Sequence, residues 1–377
     1  MKKSLVALAA LAFVGVASAQ SSVTLFGVVD ATVAFGNGSI ANRTQLTNSG
    51  YNSSRLGFRG TEDLGGGLNA SFWLEAGVNN DNGSGANTNT NNQATGATGG
   101  GGLTFNRRST VSLAGAFGEV RLGRDYTPQF WNQTVFDPFG TNGVGTTQTI
   151  NGVSGNLIGG APVAMNGGPT AVRASNSIGY FLPGNLGGFY GQFQHYLGEN
   201  NQTGAATEDD GKGNAIRLGY ANGPMNVAIA TSRTKYATTA TSLTALGNGD
   251  IRSTNLGGSF NFGVASVMAL VTRDRVAAAT TRTGKGALVG VLVPLGAGQI
   301  RASYSTYKAN DASVGIGDAK AKKIALGYVH NLSKRTALYT TFARVTNSGG
   351  SAQALNGAVT SANGRSTGYD FGVRHSF

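Results

Sequence analysis

Apolar and polar residues alternate with a period of two through much of the chain. Over residues 68–78, Leu68, Ala70, Phe72, Leu74, Ala76 and Val78 alternate with Asn69, Ser71, Trp73, Glu75 and Gly77. Over 299–307, Ile300, Ala302, Tyr304 and Thr306 alternate with Arg301, Ser303, Ser305 and Tyr307. In the final segment Tyr369, Phe371, Val373 and Phe377 share one face, and Asp370, Gly372, Arg374 and Ser376 share the other. This periodicity predicts β-strands with one apolar, aromatic face and one small, polar or charged face.

The connections between these strands alternate in length. Short turns fall near 61–67, 115–118, 183–188, 221–223, 261–263, 294–298 and 331–335. Long polar loops fall near 36–50, 79–103, 125–170, 197–212, 235–250, 275–284, 309–320 and 346–364. Short connections at one end and long ones at the other are the pattern of an outer-membrane barrel, whereas a soluble sandwich has no reason to segregate them. Seven short turns and eight long loops join sixteen strands. The chain supplies about 22 residues per strand plus connection, and a tilted membrane strand needs ~9–11 of them. The expected fold is therefore all-β: a 16-stranded antiparallel transmembrane β-barrel. Sixteen strands leave an aqueous lumen where eight would be filled by side chains. Closure also pairs every backbone polar group inside the bilayer.

Two of the loops differ in character. Residues 79–103 are rich in Asn, Gly and Thr and read as either a solvated, mobile loop or an ordered one. Residues 125–170 hold Phe130, Trp131, Phe136, Phe139, Ile150, Leu157 and Ile158. That is too much apolar surface for a loop in water, and it predicts a third long loop folded back against a wall.

The amino terminus predicts a secretory signal peptide over residues 1–19. Lys2 and Lys3 are its basic region, Leu5 to Val16 its apolar region, and Ala17-Ser18-Ala19 its small-residue cleavage site. The apolar run is too short to span a bilayer. The barrel domain is then expected over 20–377.

Composition sharpens the picture. There are 60 glycines, 7 prolines and no cysteines, and only 12% of residues are charged. An exported chain of this size without disulfides needs a large core or a closed hydrogen-bonded ladder. The formal charge is +12, or +10 without Lys2 and Lys3. Nucleic acid is the first partner considered for a basic chain. Export and the scatter of single basic residues through strand-like runs argue against it, and favour a lumen lined for anions.

Parity then selects candidate lumen residues. Arg55 and Arg59 oppose Leu56 and Phe58, and Arg173 opposes Val172 and Ala174, so all three are expected to face inward. A mid-strand arginine facing lipid costs ~2–4 kcal/mol. The alternative for each is a solvated position at the barrel rim. Arg107 shares the parity of Val111 and Leu113, which sends it outward unless a bulge lies between Arg108 and Val111. Otherwise Arg108 is the lumen residue, and both remain candidates. The third loop contributes only Asp125 and Asp137 as opposing carboxylates, which predicts a modest anion preference.

Several ordered stretches carry a family resemblance. QSSVTLFGVVD (20–30), SRLGFRGTEDLGGGL (54–68), NRRSTVSL (106–113), FGEVRLGRD (117–125), LGYVHNLSKRTALY (326–339) and GVRHSF (372–377) resemble the general trimeric porins of beta-proteobacteria, above all their anion-selective members. The likeness spans the chain beyond the signal segment, with the loops diverging. It implies a homotrimer in the outer membrane, in contact with lipid and lipopolysaccharide, passing small anionic solutes by passive diffusion. It implies a pore constricted by the third loop, with Arg55, Arg107 and Arg173 at the neck and Glu75 as a lumen carboxylate. It also implies that Phe377 is part of the signal read by the barrel-assembly machinery. The relatives often carry a lysine where this chain has Asn106, one basic charge fewer.

Two other classes of protein compete with this reading. A barrel enzyme needs a nucleophile and a positioned base, and His195, His330 and His375 suggest no Ser/His/acid arrangement. A plugged adhesin or structural barrel would not conduct. No cofactor is implied, and with no cysteine and three dispersed histidines no metal site is expected. Gly65-Gly66-Gly67 and Gly99 to Gly102 lack the Gly-Lys-Ser/Thr of a phosphate loop.

Overall fold

A computed structural model describes residues 22–93, 96–99, 101–150, 168–238, 249–277, 281–311 and 316–377. The expected signal peptide, and Leu157 and Ile158 of the third loop, lie outside the described residues. The chain forms sixteen long antiparallel strands. They are β1 Ser22–Gly38, β2 Arg55–Gly65, β3 Leu68–Asn79, β4 Arg108–Gly115, β5 Gly118–Tyr126, β6 Arg173–Phe181, β7 Phe189–Tyr196 and β8 Gly213–Asn222. There follow β9 Met225–Thr234, β10 Ile251–Asn261, β11 Ser266–Val276, β12 Arg282–Leu295, β13 Gly298–Asp311, β14 Ile316–Asn331, β15 Thr336–Ser348 and β16 Arg365–Ser376. Each pairs with the next, and β1 pairs with β16 from Val28↔Ser376 to Gly38↔Ser366, so the sheet closes on itself. The closure ends on Phe377, whose backbone exchanges hydrogen bonds with Gly27 at 3.0 and 3.1 Å. Its ring lies over Gly27, where a Cβ would stand 2.3 Å from Phe377 Cζ.

Burial is inverted relative to a soluble protein. Along β4, Val111 and Leu113 are exposed while Thr110 and Ser112 are buried. Val267 and Val271 of β11 are exposed while Thr272 and Asp274 are buried. The apolar face thus points out and the polar face in, as a bilayer requires. All seven expected short turns join strand pairs at one end.

Two loops are shorter than the sequence suggested. β11 and β12 run to Val276 and from Arg282, and β13 and β14 run to Asp311 and from Ile316. Half of the loop expected at 275–284 and most of the one expected at 309–320 are therefore ladder. Their polar and basic composition reads as loop, but backbone pairing continues beyond the apolar band. The first loop also contributes a strand, Arg43–Asn48, paired with the upper half of β1.

The segment between β3 and β4 is ordered where it is described. Asn92 is buried and bonds main chain on β6 and just past the end of β7. Its Nδ2 donates to Ser175 O and Leu197 O, both at 2.8 Å, and its Oδ1 accepts from Ser175 N at 2.7 Å. These bonds satisfy a bulge in β6, where the register against β5 shifts between Ala174 and Ser177.

The described part of the third loop folds inside the barrel and against its wall; its apolar content predicted the wall contact, and the family resemblance implied the place in the pore. Helix α1, Pro128–Val135, lies against β8 to β10, and Phe136 is fully buried with Ala228, Leu270 and Leu288. Asn132 Nδ2 donates to Ala228 O at 3.0 Å and to Asn255 Oδ1 at 2.8 Å, and Asn255 returns a bond to Gln129 O. Glycine makes room for this approach. A Cβ at Gly257 would stand 2.2 Å from the Phe136 ring, and one at Gly290 2.3 Å from Pro138 Cγ. Further along, the Val144 peptide is held at both ends. Its N–H donates to Asp370 Oδ2 at 2.7 Å, and its carbonyl accepts from Lys323 Nζ at 3.1 Å.

Candidate functional site

Between the seated loop and the surrounding wall, chiefly β2 to β6, lies a cavity of about 930 Å3 lined by charged and aromatic side chains. Glu75 on β3 is its acidic centre. Arg107 Nε donates to Glu75 Oε1 at 2.5 Å, Trp73 Nε1 donates to Oε2 at 3.0 Å, and Arg55 Nε lies 3.9 Å from Oε1. Tyr126 at the end of β5 joins two further groups. Its hydroxyl accepts from Arg107 Nη2 and from Arg173 Nη2, each at 2.9 Å. The Arg173 guanidinium lies 4.4 Å over the Tyr126 ring and donates through Nε to the Arg107 carbonyl at 2.9 Å. Tyr126 is itself stacked on Phe130 of the folded loop, with ring centroids 5.1 Å apart. The loop therefore fixes the ring that fixes two arginines.

The structure brings Arg55, Arg107, Arg108, Arg173 and Glu75 to one cavity. Both members of the Arg107/Arg108 pair line it. The β3–β4 register is unbroken from Glu75↔Arg108 to Phe72↔Val111, so the bulge suggested by parity is not there. Arg107 instead precedes the first ladder residue of β4. Its N–H bonds Glu75 O at 3.0 Å, and its side chain is freed from the strand's alternation. Arg108 follows the alternation, with Nε 3.7 Å from Asp125 Oδ2 and its guanidinium 4.6 Å over Trp73.

Two candidates play other parts. Arg59 faces inward but does not line the cavity. It lies nearer the short-turn end, stacked over Phe26 and Trp73 at 5.3 and 5.1 Å. Asp137 borders the cavity, but its carboxylate organises the loop. It accepts backbone N–H bonds from Phe139, Thr141 and Thr147 at 3.0 to 3.1 Å. Burial pushes this carboxyl up, against the pull of those donors and of Lys323. It is a weak opponent of the arginines.

Three more arginines reach the cavity that were not singled out from the sequence. Arg121 on β5 bridges Asp125 at 2.5 Å and Glu119 at 2.9 Å. Arg217 on β8 donates to Asn132 Oδ1 of the loop helix at 2.9 Å and lies 4.8 Å over Tyr190. Arg301 on β13 lies 4.3 Å over Tyr51, which packs on Tyr339 of β15. Each stands between outward apolar neighbours, so its inward direction was legible. Its height relative to the loop was not. Among the described residues seven arginines and three carboxylates line the cavity, a formal excess of four positive charges.

The histidines are placed without acidic partners among the described residues. His195 meets Asn214, His330 meets Tyr328 and His375 meets Thr336.

A closed sixteen-stranded barrel with an apolar exterior, a polar interior and a loop narrowing its lumen defines an outer-membrane porin. The chain belongs to the Gram-negative porin family, whose model matches residues 5–350. It is 40% identical over its full length, and over the full length of the relative, to outer membrane porin protein 32 of Delftia acidovorans. It is 31% identical to an outer membrane porin protein of Bordetella pertussis, over 90% of this chain and 93% of that one. Its fold matches the anion-selective porin from Comamonas acidovorans with a TM-score of 0.78 and 36% identity, covering 95% of this chain and all of the other. The protein is a passive diffusion channel of the outer membrane.

Proposed function

We propose that this channel prefers small anions and that the cluster around Glu75 and Tyr126 sets the preference. The observation that carries the reading is the imbalance at the neck, seven arginines against three carboxylates, one of them engaged inside the loop. The Debye length is ~8 Å in physiological salt, so fixed charges around a narrow neck act together on a passing ion. Rings of arginine are a known device for anion pores. Arg55, Arg107, Arg108 and Arg173 present donors to carboxylate or phosphate oxygens, while Glu75, shared by Arg55 and Arg107, and Asp125, shared by Arg108 and Arg121, offset the repulsion between neighbouring guanidinium groups. Small carboxylates and phosphate are the solutes this chemistry favours. Water fills the lumen, so the preference is modest.

The same reading includes a homotrimer, removal of residues 1–19 on export, contact with outer-membrane lipid and lipopolysaccharide, and recognition of the Phe377 end by the barrel-assembly machinery. The relation to an anion-selective porin supports the ion preference.

Planar-bilayer recording of the purified protein in a potassium chloride gradient tests the proposal. Large steps grouped in threes, with a reversal potential of chloride sign, are expected. Open steps with a cation-signed reversal potential would overturn the arginine argument and leave the channel.

A further inference from the structure

The outer wall carries a basic array that the pore does not use. Arg233 on β9, Arg252 on β10 and Arg275 on β11 are direct cross-strand partners. One outward position lower on β11, Arg273 pairs with Lys285 on β12, Lys285 with Lys308 on β13, and Lys308 with Lys320 on β14. All seven share the outward parity of exposed Val271, Val289, Tyr304 and Ile324 on their own or adjoining strands. All seven lie at the long-loop ends of their strands. The lower row of four crosses three strand gaps, roughly 14 Å at ~4.8 Å per gap. The array stops on both flanks, with Asn214 opposite Arg233 and Ser348 opposite Lys320.

Like charges placed directly opposite each other destabilise a sheet. Carboxylates relieve little of this. Arg233 bridges Asp250 and Lys308 bridges Asp318, and the described residues give Arg252, Arg273, Arg275, Lys285 and Lys320 no such partner. Along the strands the array sits above the apolar band. On β12 the outward series runs Lys285, Ala287, Val289, and on β14 it runs Lys320, Lys322, Ile324, Leu326. That height is the headgroup level of the outer leaflet, where long basic side chains reach phosphate without the midplane cost.

We propose that this face, β9 to β14, is a binding surface for the phosphorylated glycolipid of the outer leaflet, with the Arg273–Lys285–Lys308–Lys320 row engaging its lipid A phosphates. The inference rests on the outer-membrane placement of the barrel, and it assigns the lipid contact to named residues. Two phosphates on one rigid headgroup can bridge adjacent members of the row, while the acyl chains lie on the apolar band below. A divalent cation is not required, because the protein itself supplies the positive charge.

The test uses the full-length, detergent-solubilised protein and the variant Arg273→Gln/Lys285→Gln/Lys308→Gln/Lys320→Gln. Retention of bisphosphorylated lipid A is measured by native mass spectrometry, beside the same lipid stripped of phosphate and beside phosphatidylglycerol. Inorganic phosphate serves as competitor. The parent is expected to retain lipid A, the variant to retain it at least about tenfold less, and neither to retain the stripped lipid. Equal retention by parent and variant, or no retention by the parent, overturns the proposal; so does full displacement by inorganic phosphate, which would mark a site for free anions. Phosphatidylglycerol held as firmly as lipid A would do the same for the choice of lipid. Bilayer conductance of both proteins separates the outcomes: conducting protein without lipid A retention sinks the row alone, and absence of conductance sinks the channel reading. If the fourfold variant fails to form a barrel, Lys285→Gln/Lys308→Gln replaces it.

Discussion

Arg107 and Arg173 donate to one oxygen, the phenolic Oη of Tyr126, each at 2.9 Å. They come from the start of β4 and the start of β6, on either side of β5, and two like charges would otherwise separate. Tyr126 sits on the strand between them and holds both. Its ring is in turn pressed by Phe130 of the folded loop. Charge at the neck and seating of the loop are therefore one mechanical unit.

Glu75→Gln removes the carboxylate that Arg107 and Arg55 share. The formal excess at the neck rises from four to five. Reversal potentials in a salt gradient should move further toward the chloride value. The lost charge-assisted bonds should cost about 1–3 kcal/mol of barrel stability, read from the urea midpoint.

Arg173→Gln and Arg59→Gln make a paired comparison. Arg173 lies at the neck beside Tyr126, while Arg59 lies below it, stacked on Trp73. Anion preference should fall clearly in the first and change little in the second. The difference should shrink as the recording salt approaches 1 M, where the Debye length is ~3 Å. Equal effects from the two would mean that selectivity is spread along the lumen.

Phe136→Ala should unseat the loop while leaving the barrel closed. Truncating a buried Phe costs about 3–5 kcal/mol, and here the loss falls on contacts to Ala228, Leu270 and Leu288. Gly257→Val attacks the same seat from the wall, since its Cβ would stand 2.2 Å from the Phe136 ring. Both variants should pass larger neutral sugars in liposome swelling and show noisier open currents. Retention of the parent's size limit in both would show that the loop is held elsewhere, at Val144.

Asp137 gives the loop a pH dependence. Its folded-state pKa is raised by burial, so the folded state favours the protonated form. The contribution is fully present below the unfolded value of about 3.9 and is lost as pH rises through the folded value. Open-channel noise from loop motion should therefore grow as pH is raised above about 4. Asp137→Asn cannot titrate and should abolish that component, although its amide cannot match both carboxylate oxygens as an acceptor.

Strand number, turn positions and the inverted face pattern were legible in the sequence, because they rest on local periodicity. A residue such as Leu113 or Arg121 declares its face by its immediate neighbours. The apolar content of residues 125–170 also declared that the third loop would not stay in water. Polarity misled at 275–284 and 309–320, where backbone pairing continues past the membrane and side-chain composition does not report it. Arg107 misled parity for a related reason: it precedes the first rung of β4, so the strand's alternation does not govern it. Only the tertiary structure decided which inward arginines meet. Arg55, Arg121, Arg217 and Arg301 lie far apart in the chain, and closure of the barrel with its fixed stagger sets their heights. Gly257, Gly290 and the Val144 clamp then let the loop approach the wall and narrow the lumen at that height. Face is a property of two neighbouring residues, whereas a constriction depends on the register of all sixteen strands together.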